Sequence, residues 1–336
     1  MTTRLRLMLL LGAVALLTLS PPAADARRER PATFEELFNQ ERVPFAIGHR
    51  GFGDNLGEDR TRPIEDTARA VRRGFRAGVS VVEVDVQLTR DGEVAAFHDD
   101  FLDDFTCLNS LTLHQLRRRG HRVDRLSEIL DEAREFNQRP GSFSGLVIVE
   151  LKAAAPLCDP HDTQERAIVS AVVKVVRAAR MTKQVLFVSF SPALLQLAAS
   201  SAPEIVRGLS ISGLQFLSAP EAEALLGLPV TRIQKHPDFG LPWAEIGVVY
   251  RLPGYPSVND VIATAATVGA RLIEADLFFL SRAGSPFVQT LHGLGFKVLG
   301  FTVNDEAEWQ FLESLGVDGI YTNNVPLGVR LQAPAP

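Results

Sequence analysis

Cysteine, tryptophan and tyrosine are scarce in this sequence, and no charge dominates it. Of 336 residues, 2 are Cys, 2 Trp and 3 Tyr, and the formal net charge is only −5. That charge argues against nucleic acid as the main partner, since phosphate binding needs a basic surface. With 20 Phe beside so few Trp and Tyr, the aromatic content serves core packing rather than stacking of bases or sugars. No Gly-rich dinucleotide fingerprint occurs, no short repeat appears, and beyond the N-terminus no apolar run approaches the ~20 residues of a membrane span. What is present, 46% hydrophobic and 22% charged residues, suits a soluble globular chain. The length allows one large α/β domain or two ordinary ones.

Residues 1–26 stand apart. "MTTRLR" carries two arginines, residues 7–19 are apolar, and Ala24, Asp25 and Ala26 offer small side chains for cleavage. That layout predicts a secretory signal. Arg4 and Arg6 are not adjacent and no cysteine follows the apolar run, which speaks against twin-arginine export and lipidation there. An uncleaved N-terminal anchor is the alternative. The chain thus divides into this signal, a polar segment over 27–42, a main domain over 43–330 and a tail over 331–336. Export to the periplasm or medium changes the meaning of Cys107 and Cys158, because an isolated pair in an oxidising compartment tends to be bridged.

From residue 43 onward, apolar strand runs alternate with helical ones. Strands are expected at 43–49, 81–88, 93–99, 146–152, 185–190, 205–211, 271–276, 297–303 and 319–323. Helix-period stretches lie at 64–78, 163–181 and 305–316. The Pro-rich segment 212–260 yields no secure strand. Repeated β-then-α units over this length fit a (β/α)8 TIM barrel better than an open sheet. Nine strands are one too many, so one of them is an excursion, with the stretch 81–100 the suspect.

That stretch, "VVEVDVQLTRDGEVAAFHDD", places acids where a buried strand should be apolar. Only four residues part its two strands, so they pair antiparallel. A two-residue turn at Arg90 and Asp91 would set Glu83 opposite His98 and Asp85 opposite Ala96. Glu83 and Asp85 leave one face of their strand, Val82, Val84 and Val86 the other. Glu150 and Lys152 share a face at a later strand end, and His49 and Arg50 end the first strand. In barrels the C-terminal strand ends build the site. Three carboxylates meeting there repel unless a cation sits among them, and oxygen-only ligands favour Ca²⁺ or Mg²⁺ over zinc.

The ordered motifs His49-Arg50-Gly51, Glu65-Asp66-Thr67, Glu83-x-Asp85 with Thr89-x-Asp91-Gly92, His98-Asp99 and Glu150-Leu151-Lys152 resemble the glycerophosphodiester phosphodiesterase family. "GFTVND" (300–305) and "GVDGIYTN" (316–323) resemble its last two strands. The similarity runs from about residue 43 to 330. It implies a distorted barrel and hydrolysis of glycerophosphodiesters to glycerol 3-phosphate and an alcohol. Glu83, Asp85 and Glu150 would hold one divalent cation, Ca²⁺ or Mg²⁺, which in the family also binds a glycerol hydroxyl. His49 and His98 would act as acid and base, in an order the sequence leaves open, with Arg50 and Lys152 on the phosphate. By position, Glu65 would either support the site or merely open the helix that follows as a first-turn acid, and Asp99 would orient its surroundings. "PIEDT" departs from the usual Pro-Glu-Asn-Thr, the loop 52–62 is long, and Phe301 stands where many relatives carry Trp, which leaves the departing alcohol open.

Two other functions compete. One is a barrel acting on intact lysophospholipid or sphingolipid and releasing a cyclic phosphate, with "LFFL" (277–280) as an apolar entrance; the other is a silent binding barrel. The expected partner is a small glycerophosphodiester or lysophospholipid head group. In the barrel reading Cys107 and Cys158 lie on two loops of the catalytic rim, which predicts a bridge between those loops. His114 and His121 read as solvated, His161 and His236 as loop residues, and the arginines at 72–73 and 117–119 as wet helix faces.

Overall fold

A computed structural model describes residues 33–39, 44–54, 63–102, 104, 106–138, 145–155, 158–161, 163–216 and 254–332. The expected signal segment 1–26, most of the loop 52–62, the Pro-rich stretch 217–253 with His236, and the tail from 333 lie outside these residues. Among the described residues no helix is long and apolar enough to cross a membrane.

The strands, in chain order, are β1 (Phe45–Gly48), β2 (Val81–Leu88), β3 (Val94–Ala96), β4 (Asp124–Arg125), β5 (Leu146–Leu151), β6 (Val185–Ser189), β7 (Val206–Ile211), β8 (Leu272–Asp276), β9 (Lys297–Val303) and β10 (Gly319–Thr322). Their order is β1-β10-β9-β8-β7-β6-β5-β2-β3-β4, and the additional β1–β2 pairing closes eight parallel strands into a barrel. β3 and β4 are antiparallel and hang outside the ring. The excursion is therefore the second half of the acidic hairpin. It continues through residues 97–123 as a small lobe with its own core of Leu102, Leu108, Leu111, Leu113, Leu116 and Val123.

Side-chain alternation sorts each barrel strand between two cores. Val82, Val84 and Val86 of β2 and Val147 and Val149 of β5 point outward into the layer beneath the helices. There Phe75 stacks on Phe136 at 5.0 Å, each buried ring worth about 1.5–3 kcal/mol. Val81, Leu146, Ile148, Leu186, Leu272 and Leu299 point inward and fill the barrel floor. Higher on the same inner faces come Glu83 and Asp85, then Glu150. The acids interrupt the valines because the inner face changes from packed floor to working rim along the strand.

Two expectations need correction. The hairpin register pairs Val86 with Ala96 and Leu88 with Val94, so Asp85 lies level with Phe97, and the positions sum to 182 rather than 181. Thr89 still bonds Glu93 across the turn, Gly92 has φ +77°, and the loop holds three residues, Arg90 to Gly92. His98 consequently does not face Glu83 across the ladder. The described part of the 27–42 segment is not merely polar: it forms α1 (Phe34–Phe38), capped by Thr33, and its Phe34 and Leu37 plug the barrel floor.

The run 64–78 becomes α2 (Ala68–Ala77), with Thr67 as N-cap and Gly78 as C-cap. It starts later than its periodicity suggests because Asp66 adopts φ +53°.

Candidate active site

The first wall of the site is the turn after β1. His49, Arg50 and Gly51 follow the strand, and Arg50 (φ +46°) and Gly51 (φ +87°) are both left-handed. A side chain at Gly51 would meet the Ala70 backbone at 2.8 Å, so only glycine lets this turn lie against α2. The turn aims the Arg50 backbone N–H at Glu83 Oε2, 2.9 Å away. The Arg50 side chain reaches Glu65 at 2.8 Å and Asp85 at 3.4 Å. Burial alone would lower its pKa, but Asp85, Glu65, Asp66 and Glu83 raise it, so the guanidinium stays charged.

β2 and β5 form the second wall. Their parallel register sets Asp85 beside Glu150, and one oxygen from each of Glu83, Asp85 and Glu150 falls within 4.8 Å of the others. Lys152 Nζ stands 3.5 Å from Glu150 and 3.6 Å from Asp85. Burial opposes ionisation of Asp85, yet Lys152, His98, Arg50 and His49 hold its pKa below the usual carboxylate range. Glu150 is pushed up to about 7 by burial, with Asp85 adding repulsion and Lys152 opposing. Glu83 rises well above its ordinary value through burial and its neighbours Asp85, Asp66 and Glu150. Among the described residues, buried Asp85 Oδ1 has no hydrogen-bond partner. Clustered, mutually repelling oxygens of a hard donor set fit a divalent cation.

The two histidines flank this cluster in unlike settings. His49 Nδ1 donates to the Asn323 amide oxygen at 2.7 Å, which leaves Nε2 with its lone pair. Burial, then Arg50, lowers the His49 pKa to about 4, against smaller opposing effects of Asn323, Asp85 and Asp54. His98 is more open, and its Nδ1 lies 2.7 Å from an oxygen of Asp99. That contact with His98 is also the main cause of the lowered Asp99 pKa.

The structure thus brings together His49, His98, Arg50, Lys152, Glu83, Asp85 and Glu150, with Glu65 on Arg50 and Asp99 on His98. Cys107 and Cys158 are bonded, joining the loop after β3 to the loop after β5. Other expectations change. Of "LFFL", Phe279 and Leu280 are core residues, which leaves Leu277 and Phe278 for any apolar entrance. His121 is not simply solvated: it is half-buried with its ring edge-on to Phe97 at 6.0 Å. His114 is exposed, and so is His161.

Two site residues carry no role in the sequence reading. Asn323 orients His49 and also binds Asp54 and Asn304; its only signal was a place in "GIYTN". Asp66, buried beside Asp85, accepts the Asp85 backbone N–H at 3.0 Å. Burial and Asp85 drive its pKa well above the ordinary value.

Acids, cations and histidines are thus gathered at the C-terminal rim of a closed parallel barrel, where barrel folds place their sites. The profile of the Glycerophosphoryl diester phosphodiesterase family matches residues 49–327, and the chain belongs to that family. The glycerophosphocholine phosphodiesterase gde1 of Schizosaccharomyces pombe is 33% identical over 104 residues, 29% of this chain and 9% of that protein. A glycerophosphodiester phosphodiesterase of Caldanaerobacter subterraneus subsp. tengcongensis is 25% identical over 178 residues, 48% of this chain and 65% of its own length. The chain therefore spans less than two thirds of either relative. Among solved structures, an Oleispira antarctica phosphodiesterase in complex with the product sn-glycerol-3-phosphate shares the fold. Its TM-score is 0.60 at 20% identity, covering 86% of this chain and 96% of that one.

Proposed function

We propose that this protein is a metal-dependent phosphodiesterase that hydrolyses glycerophosphodiesters to glycerol 3-phosphate and an alcohol. The observation that carries the reading is the oxygen cluster of Glu83, Asp85 and Glu150 beside Lys152, with histidines of opposite character near it. The relatives named for this activity, and the product bound in the Oleispira antarctica structure, support it.

A hard cation, Ca²⁺ or Mg²⁺, held by the three carboxylates would neutralise charge on the phosphoryl group and orient it. Arg50 and Lys152, kept charged by their acidic neighbours, offset the charge that develops on the phosphoryl oxygens. His49, neutral and with Nε2 available, is the base that takes the proton from the attacking glycerol hydroxyl. His98, the more open of the two rings and held at Nδ1 by the Asp99 carboxylate, is the acid that protonates the departing alcohol. A water opens the cyclic phosphate with the two roles reversed, and each positioned transfer is worth about 10²–10⁴-fold. The protein is exported, a reading supported by the signal-like residues 1–26 and by the disulfide.

The test is incubation of pure protein with glycerophosphocholine or lysophosphatidylcholine, with either ion, followed by phosphorus NMR. Glycerol 3-phosphate from the first substrate is expected. Cyclic phosphate from the lysolipid alone would point to the lipid-cleaving barrel, and no product from either to a binding protein.

A further inference from the structure

β2 places a third polar residue on the face that carries Glu83 and Asp85. Gln87, only 5% exposed, comes next in the period-2 series. Its Nε2 lies 3.0 Å from Phe97 O, 3.1 Å from His98 O and 2.9 Å from Asp99 O. Two N–H groups thus serve three successive carbonyls, all pointing at one nitrogen.

The need for such a peg follows from the hairpin. The β2–β3 ladder ends at the Val86–Ala96 pair, with one last bond from Phe97 N to Asp85 O at 3.0 Å. Beyond it the chain must leave the strand line and curl, or His98 would follow the excursion away from the barrel. Among the described residues, His98 and Asp99 have no ladder partner to fix that curl. Gln87 takes its place, and a buried amide serving carbonyls in a site of low dielectric is strongly held.

We propose that Gln87 is a positioning residue that fixes the backbone of His98 and so aims its imidazole at the departing oxygen. The proposal rests on the reading of His98 as the acid, and it predicts a defect specific to alcohols that need a proton to leave. A residue holding only the fold would lower all activity alike.

The experiment compares glycerophosphocholine with the p-nitrophenyl ester of glycerol phosphate, whose phenolate departs without a proton. The variants are Gln87→Met, which keeps length but has no donor, Gln87→Glu, His98→Ala and the double variant Gln87→Met/His98→Ala. Read in the first turnover, before the water step in which His98 serves both esters alike, Gln87→Met should slow choline release by about 10–10²-fold and leave nitrophenolate release nearly unaffected. Gln87→Glu, which turns a carboxylate toward the carbonyls, should show the same selectivity with a larger loss. The ratio of the two rates within one variant does not depend on how much of it is folded. Adding Gln87→Met to His98→Ala should cost nothing further, since the two act as a unit. Equal loss on both esters by Gln87→Met, or full additivity in the double variant, would overturn the proposal. If His98→Ala itself lowered both esters equally, the assignment of His98 as acid would fail. The double variant would still decide whether Gln87 acts through His98.

Discussion

Ion binding should stabilise this protein more at about pH 8 than at about pH 5, because the carboxylates that receive the ion otherwise hold protons. Glu150 is raised from an ordinary 4.5 to about 7, first by burial and then by Asp85. The folded state therefore binds this proton more tightly than the unfolded chain does. Its contribution is complete below 4.5 and is lost as pH rises through about 7. The difference corresponds to roughly 3 kcal/mol of fold stability given up by the ion-free protein in that window. Glu83, raised in the same sense, adds to it. At alkaline pH a cation relieves the same repulsion without competing protons. At a concentration of about 100 Kd it adds about 2.7 kcal/mol, on the order of 5 °C in Tm for a domain of this size. Near pH 5 the shift should shrink toward zero. Thermal melts with Ca²⁺, Mg²⁺ or chelator across this range measure it directly, alongside activity. Glu150→Gln, which keeps shape but drops a charge, should flatten the ion-dependent shift and lower activity together. A shift equal at both ends of the range, or an enzyme fully active in chelator, would show that the acids serve only as partners of Arg50 and Lys152.

His49→Ala and His98→Ala should each lower kcat by about 10²–10⁴-fold on glycerophosphocholine while the ion-dependent melting shift persists; retention of more than about a tenth of activity would remove either from proton transfer. His114→Ala, at an exposed position, should leave kcat unchanged in the same assay. The Cys107–Cys158 bond closes a separation of 51 residues, so the double Ser variant should lose up to roughly 4 kcal/mol in urea unfolding, and an unchanged midpoint would refute that contribution. Asn323→Asp should set a carboxylate against His49 Nδ1, where Arg50, Asp85 and Asp54 are the other charges acting on the ring. The anion raises the pKa from about 4, so the acidic limb of kcat/KM should move to higher pH, with the greatest loss on the acid side; a limb that stays in place would exclude Asn323 from setting the state of His49.

The barrel was legible because its signals are local. Each of its eight strands coincides with an apolar run bounded by turn residues, and α2 and Glu165–Ala179 carry their own helical period. What escaped depended on single backbone torsions or on distant partners. One added turn residue, with Gly92 at φ +77°, changed the hairpin register, and the left-handed Asp66 delayed α2. β4 has only two residues and shows itself through its pairing with β3, which no local period encodes. α1 escapes notice in sequence because it is only five residues long, with Glu35 and Glu36 between the Phe34, Leu37 and Phe38 that meet the barrel floor.

The site divides along the same line. Glu83 with Asp85, and Glu150 with Lys152, could be grouped from sequence because period 2 alone puts each pair on one face. Their convergence required the parallel register that sets Asp85 beside Glu150, which barrel closure supplies and no local pattern encodes. The hairpin register, although read one residue out, did not misplace His98 chemically, because the ladder does not position it. Its carbonyl and those of its neighbours bind Gln87. The settings of the two histidines were likewise hidden. His49 is held by an amide oxygen 274 residues away and His98 by the carboxylate next to it. A neutral acceptor thus holds one ring and an anionic one the other, and the first of these contacts exists only once β10 has closed the barrel against β1.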